Sequence, residues 1–329
     1  MSTSRLSGVV FTGLAIVLIS GNSFPNALSI SSLESKARLD YVSSVKLIDN
    51  IVSDRSNKVV MINFDDGRKS QLIYAKPILD EYGFKASFFI ICGRVGTERS
   101  SMNWQDIAQL KKDGMGIESH SMTHTNLNRL STNALNFEIG GQCFAKHGYN
   151  TPLFGYPFNL GSNEPSVVNW VAKYYNFGRS GTDRLMLLDC RGYMKDTQAD
   201  CRTYLPNGML THANRYDIRS ASFYHVSNQH NFTPQEMFHV FLQIVNGATQ
   251  YNSIGKISAI PIIVYHNITN SIRDYTIPSH ASSTTLDLFA QEMKYLHNNG
   301  FRVLLLNQLG YEPISNVFYS PPPSAAALP

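Results

Sequence analysis

The sequence predicts an α/β protein built on a parallel sheet or barrel. Two observations predict it. Short apolar runs of strand length alternate with segments of helical periodicity from about residue 57 to about residue 310. The polar residues best suited to chemistry fall just after apolar runs, at what would be the carboxyl ends of parallel strands, where α/β barrels assemble their sites.

The elements follow in order. Strands are expected at 58–64 (KVVMINF), 86–92 (ASFFIIC), 115–119 (MGIES), 153–157 (LFGYP), 174–178, 220–226 (SASFYHV), 260–265 (IPIIVY) and 301–306 (FRVLLL), each rich in β-branched or aromatic residues. Helices are expected at 70–82, 103–113, 132–147, 164–173, 234–248 and 285–299. Ser131 is a fitting N-cap for the third, and Gly83, Gly114, Gly148 and Gly300 fall just past four helix ends, where a left-handed residue is wanted. The stretch between about 178 and 220 lacks periodicity and reads as an insertion or long loop.

The flanks are of another kind. Arg5 precedes the apolar run Gly8–Ser20 (GVVFTGLAIVLIS), too short to span a bilayer comfortably but suited to the core of an export signal. Residues 1–29 are therefore read as an export signal or retained N-terminal anchor, with membrane attachment through that segment, and 30–56 as a linker. The folded domain is assigned to 57–312, and 313–329, ending SPPPSAAALP, reads as a disordered tail. An extracellular or cell-envelope location follows from the export reading. With 28 basic and 24 acidic residues and no dense basic block, nothing resembles a nucleic-acid footprint, and no protein partner is indicated. Of the four cysteines, Cys190 and Cys201 bracket a short polar loop that a disulfide could close, whereas Cys92 and Cys143 read as buried thiols.

The chemistry starts at FDDG, where Asp65 and Asp66 stand side by side at a strand end. Two neighbouring carboxylates repel and cost desolvation, so their placement asks for a cation or a functional reason. His120 and His124, in HSMTH, have a spacing that lets both imidazoles face one ion, and a carboxylate from FDDG would complete a two-histidine, one-carboxylate site with positions left open. His266 ends the apolar strand IPIIVY and could serve as a general acid.

NFDDG at 63–67, HSMTH at 120–124, FGYPFN at 154–159 and VYH at 264–266 resemble, in order, the motifs of the polysaccharide deacetylase family, the NodB-homology group; the segment TLDLFAQEMKYLHNNGFRVLLL at 285–306 resembles its closing helix and strand. The resemblance implies a distorted (β/α) barrel with about seven parallel strands, one divalent metal ion, usually Zn2+ with Co2+ possible, and hydrolysis of N-acetyl groups on an N-acetylglucosamine-containing polysaccharide or oligosaccharide. It implies that Asp65 is the base, that Asp66, His120 and His124 hold the metal, and that His266 is the acid. The backbone N–H of Phe158, just after Pro157, would face the oxyanion, and the rings of Tyr156 and Phe158 could stack on sugars. The family often carries an arginine two residues before the motif proline to orient the base; here that position is Gly155, and Arg179 is the candidate replacement. The aspartate that usually tunes the acid histidine has no clear counterpart, with Asp183 the one nominee. A catalytically silent glycan-binding relative, and a hydrolase of another small amide or imide, are the competing readings.

Overall fold

The computed structural model describes residues 57–181, 186–187, 215–222, 226–227, 230–254, 257–270, 282–312 and 317–319. The export segment, the linker, Asp183, Cys190 and Cys201 lie outside the described residues.

The main sheet contains β1 (Val59–Asp66), β2 (Ser87–Ile90), β3 (Gly116–Ser119), β4 (Leu153–Gly155), β5 (Phe177–Arg179), β6 (Ala221–Ser222), β7 (Ile262–Tyr265) and β8 (Arg302–Leu304). Seven of them run in the spatial order β5-β4-β3-β2-β1-β7-β6, all parallel. The eighth, β8, pairs with the first half of β1, from Val59 to Met61, and β2 pairs with the second half, from Asn63 to Asp66. Because Met61 also pairs with Ile262 and Asn63 with Val264, β7 holds one side of β1 while β8 and β2 share the other. The ring closes through the stretch leading into β6: Ser180 N–H donates to Ile218 O at 2.9 Å and Ile218 N–H to Gly178 O at 2.8 Å. The distorted seven-stranded barrel expected from the sequence is thus realised, and Ile218, in the stretch read as a long loop, supplies the bridge to β5.

Helices cover the outside. A π-helical turn at Gln71–Ala75 runs into α1 (Lys76–Glu81), followed by α2 (Trp104–Lys112), α3 (Thr132–Ile139), α4 (Gln142–Lys146), α5 (Pro165–Tyr174), α6 (Pro234–Thr249) and α7 (Leu286–Asn298). Reciprocal capping boxes start α2, between Asn103 and Asp106, and α6, between Thr233 and Glu236. The single helix expected over 132–147 is two, because Gly141 takes a left-handed φ of 65° that ends one turn and starts another.

Strand alternation divides the core. Outward residues such as Phe64, Phe88 and Ile263 pack against Leu79, Phe241 and Phe289 of the helices. Inward residues Val59, Met61, Phe89, Leu153, Phe177 and Ile262 fill the barrel floor with Leu306 and Phe318. Within the stretch read as a tail, Val317–Tyr319 pairs antiparallel with Gly310–Glu312, and Phe318 is buried beside Phe177 and Tyr311; the rest of 313–329 lies outside the described residues. The cysteines are corrected. Cys92 and Cys143 are joined by a disulfide, with Cα atoms 6.2 Å apart, because α4 packs against the turn after β2.

Candidate active site

The carboxyl ends of β1, β3, β5 and β7 deliver Asp65, His120, Arg179 and His266 to one mouth of the barrel. Asp65 continues the inward series Val59, Met61 and Asn63, so alternation alone brings it inside. Its carboxylate meets Arg179, whose Nη2 lies 2.7 Å from both Oδ1 and Oδ2. Both side chains are buried, the guanidinium lies over the Phe89 ring at 4.3 Å, and its Nη1 donates to Ser220 Oγ at 3.2 Å. Burial alone would raise the Asp65 pKa; Arg179, then His120 and His266, overcome it and hold the carboxyl below the usual range.

Alternation would turn Asp66 away from the mouth. Instead its backbone takes a left-handed φ of 77°, and its Oδ1 comes to 3.6 Å from His124 Nε2 and 3.9 Å from His120 Nε2. Ser121 and His124 are also left-handed, at 62° and 63°, so the ligand set sits on a strained backbone of the kind found at functional sites. Burial would raise Asp66, but His266 and His120, with Arg68 and His124, pull it down to about 2. The histidines are oriented rather than loose. Buried His120 donates from Nδ1 to Gly155 O at 2.8 Å, which orients the ring with Nε2 between the two aspartates, 3.9 Å from Asp66 Oδ1 and 3.8 Å from Asp65 Oδ2. Burial and the neighbouring His120 push His124 down to about 4, so its imidazole is neutral at neutral pH.

These residues fit a metal ion. The ligand atoms of Asp66, His120 and His124 lie within 4.8 Å of one another. Tetrahedral ligands at ordinary zinc distances are about 3.4 Å apart, close to the two separations from Asp66. Asp66 Oδ2 is occupied by Arg68, whose Nε and Nη2 donate at 3.0 and 2.8 Å, which leaves Oδ1 for the histidine side.

The PFN turn divides the other candidates. Phe158 is 59% exposed, with a left-handed φ of 56°, and its ring meets His124 edge-on at 4.4 Å. Pro157 is buried beneath it. Tyr156 is not brought to the mouth: at 1% exposure it packs outside the barrel with Phe154, Val168 and Tyr175, so no sugar can stack on it. The strand pattern explains this, since Tyr156 is one residue out of phase with inward-facing Gly155.

The structure adds residues that sequence reasoning passed over. Gln71 is fully buried, and its Nε2 donates to Asp65 O at 2.5 Å and to His266 O at 2.7 Å, tying two strand ends together. Nothing in QLIYAKP marks it. Arg68 could have been found, as a cation two residues beyond the second aspartate.

Residues 53–166 match the polysaccharide deacetylase family. The matched segment contains Asp65, Asp66, His120, His124 and Phe158; Arg179 and His266 lie beyond it. YxkH of Bacillus subtilis strain 168, which carries a polysaccharide deacetylase name, is 36% identical over 76 residues, or 23% of this chain and 27% of that protein. The match thus spans about a quarter of that relative's length. Among solved structures, the family 4 carbohydrate esterase of Streptomyces lividans in complex with acetate is 15% identical with a TM-score of 0.45, covering 80% of this chain and 98% of that one. The peptidoglycan deacetylase PdaC of Bacillus subtilis, in a mutant form, is 16% identical with a TM-score of 0.40, covering 76% and 89%.

Proposed function

We propose that this chain, which carries a polysaccharide deacetylase domain, is an exported metal-dependent hydrolase that removes N-acetyl groups from an N-acetylglucosamine-containing glycan. The observation that carries the reading is that two adjacent carboxylates take different partners, Asp65 meeting Arg179 at 2.7 Å and Asp66 meeting Arg68 at 2.8 Å and His124 at 3.6 Å, with His120 Nε2 facing both at 3.8 and 3.9 Å. One is placed to move a proton and the other to hold a cation.

Asp66, His120 and His124 would hold the ion, and their two imidazoles and one carboxylate suit zinc, with cobalt the alternative. When bound, it supplies a Lewis acid for the acetamide carbonyl and for water. Asp65, kept ionised by Arg179, takes a proton from the attacking water. The backbone N–H of Phe158 faces the developing oxyanion, and its exposed ring offers an apolar wall to the acetyl methyl or the sugar. His266, on the strand flanking β1 on the side away from β3, gives a proton to the departing sugar nitrogen. The apolar run Gly8–Ser20 supports export to where such glycans occur.

The test is metal analysis of the purified chain together with acetate release from a panel of N-acetylglucosamine polymers and small amides. About one divalent ion per chain and acetate from at least one polymer are expected. Bound metal and glycan affinity without turnover would favour a silent binding relative, and turnover of small amides or imides alone would move the substrate class.

A further inference from the structure

The loop that carries both histidines borders a cavity on one side. The cavity, of about 270 Å³, is lined by Ser121 and Met122 of the loop and by Cys92, Glu138 and Cys143. Packing on that side is incomplete, although Ser121 and His124 hold left-handed backbone angles that must be kept from relaxing. Hydrogen bonds supply the bracing. Cys92 N–H donates to Ser121 O at 3.1 Å and Gly93 N–H to Met122 O at 2.8 Å, while His124 N–H donates to Ser121 Oγ at 2.9 Å.

The strongest brace is Glu138. Its Oε2 accepts from Thr123 N–H at 2.9 Å, its Oε1 from the Thr123 hydroxyl at 2.6 Å, and its backbone O from Met122 N–H at 3.0 Å. All three donors lie between His120 and His124. Glu138 is buried in the last turn of α3, with both carboxylate oxygens turned to Thr123.

We propose that Glu138 is a positioning residue for the metal-binding loop, clamping Thr123 so that His120 and His124 converge with Asp66 on a divalent cation. This rests on the metal-dependent reading above. Outer partners of metal ligands affect affinity about 10- to 100-fold, and Glu138 acts at one further remove, through the backbone between two ligands.

The experiment measures Zn2+ affinity of the full chain by competition with a chromogenic chelator, for wild type, Glu138→Gln, Thr123→Val and the double variant, with unfolding curves of the metal-free proteins alongside. Each single variant is expected to bind about 10-fold more weakly, with less than additive loss in the double and an altered visible absorption of the Co2+-loaded form. Thr123 is exposed, so Thr123→Val keeps the test open should Glu138→Gln fail to fold. Wild-type affinity in both single variants would overturn the role of Glu138 alone. A wild type that binds no divalent ion would overturn the metal reading, and this proposal with it.

Discussion

Gly155 and Arg179 are register partners on neighbouring strands, and the Arg179 guanidinium occupies the space that a side chain at Gly155 would need. A Cβ built at 155 would lie 2.8 Å from Arg179 Nη2, 2.8 Å from the Phe89 ring and 3.0 Å from His120 Nδ1. A guanidinium thus reaches Asp65 from one strand over, and the glycine leaves room for it.

Arg179→Ala should lower kcat about 100-fold or more, because it leaves Asp65 buried without its cation. Arg179 lowers the Asp65 pKa, and a base acts only when deprotonated, so its loss should also shift the acidic limb of the pH–rate profile to higher pH. Full activity with an unmoved limb would refute the assignment. Gly155→Ala should harm the same step by displacing Arg179 and His120.

Gln71→Met keeps side-chain volume but removes the donor shared by the carbonyls of Asp65 and His266. Steady-state kinetics should show kcat reduced about 10- to 100-fold with KM little changed, since the tie sets the placement of base and acid rather than glycan contact. A change confined to KM would place Gln71 in binding instead.

Cys92 and Cys143 close a loop with a sequence separation of 51. Replacing both with Ala should lower the unfolding free energy by about 2–4 kcal/mol in urea titrations. An unchanged midpoint would mean that the bridge is not formed in the protein as purified.

Glu118 and Glu292 are fully buried, and burial pushes each carboxyl up to about 8. Their folded pKa values lie above the unfolded ones, so the stability they confer is complete below about pH 4.5 and is lost as pH rises through about 8. Glu118→Gln mimics the neutral form. It should raise the urea midpoint clearly at about pH 9 and hardly at all at about pH 4. Equal effects at both would place the glutamate outside this account.

Much of the barrel was legible because its strands and helices carry strong, short-range periodic patterns, and glycines mark the helix ends. FDDG, HSMTH and the histidine after IIVY were legible because strand ends gather in a parallel barrel whatever the distance between them in the chain. What was hidden depends on contacts that periodicity does not encode. The bridge between Cys92 and Cys143 needs α4 against the turn after β2, and the pairing of 317–319 needs a floor for Phe318. Tyr156 was misplaced by proximity in sequence to Pro157, since strand phase rather than neighbourhood decides which side of the barrel a ring faces. Gln71 and Glu138 act through backbone atoms of other segments, and such partners leave no motif.

The most direct test of the central claim is acetate release from chitooligosaccharides by Asp65→Asn and Asp66→Asn proteins, with metal content measured on the same samples. The account expects Asp65→Asn to keep its divalent ion while losing at least about 100-fold in kcat, and Asp66→Asn to lose the ion and the activity together. Wild-type turnover by Asp65→Asn, or full metal retention by Asp66→Asn, would contradict it.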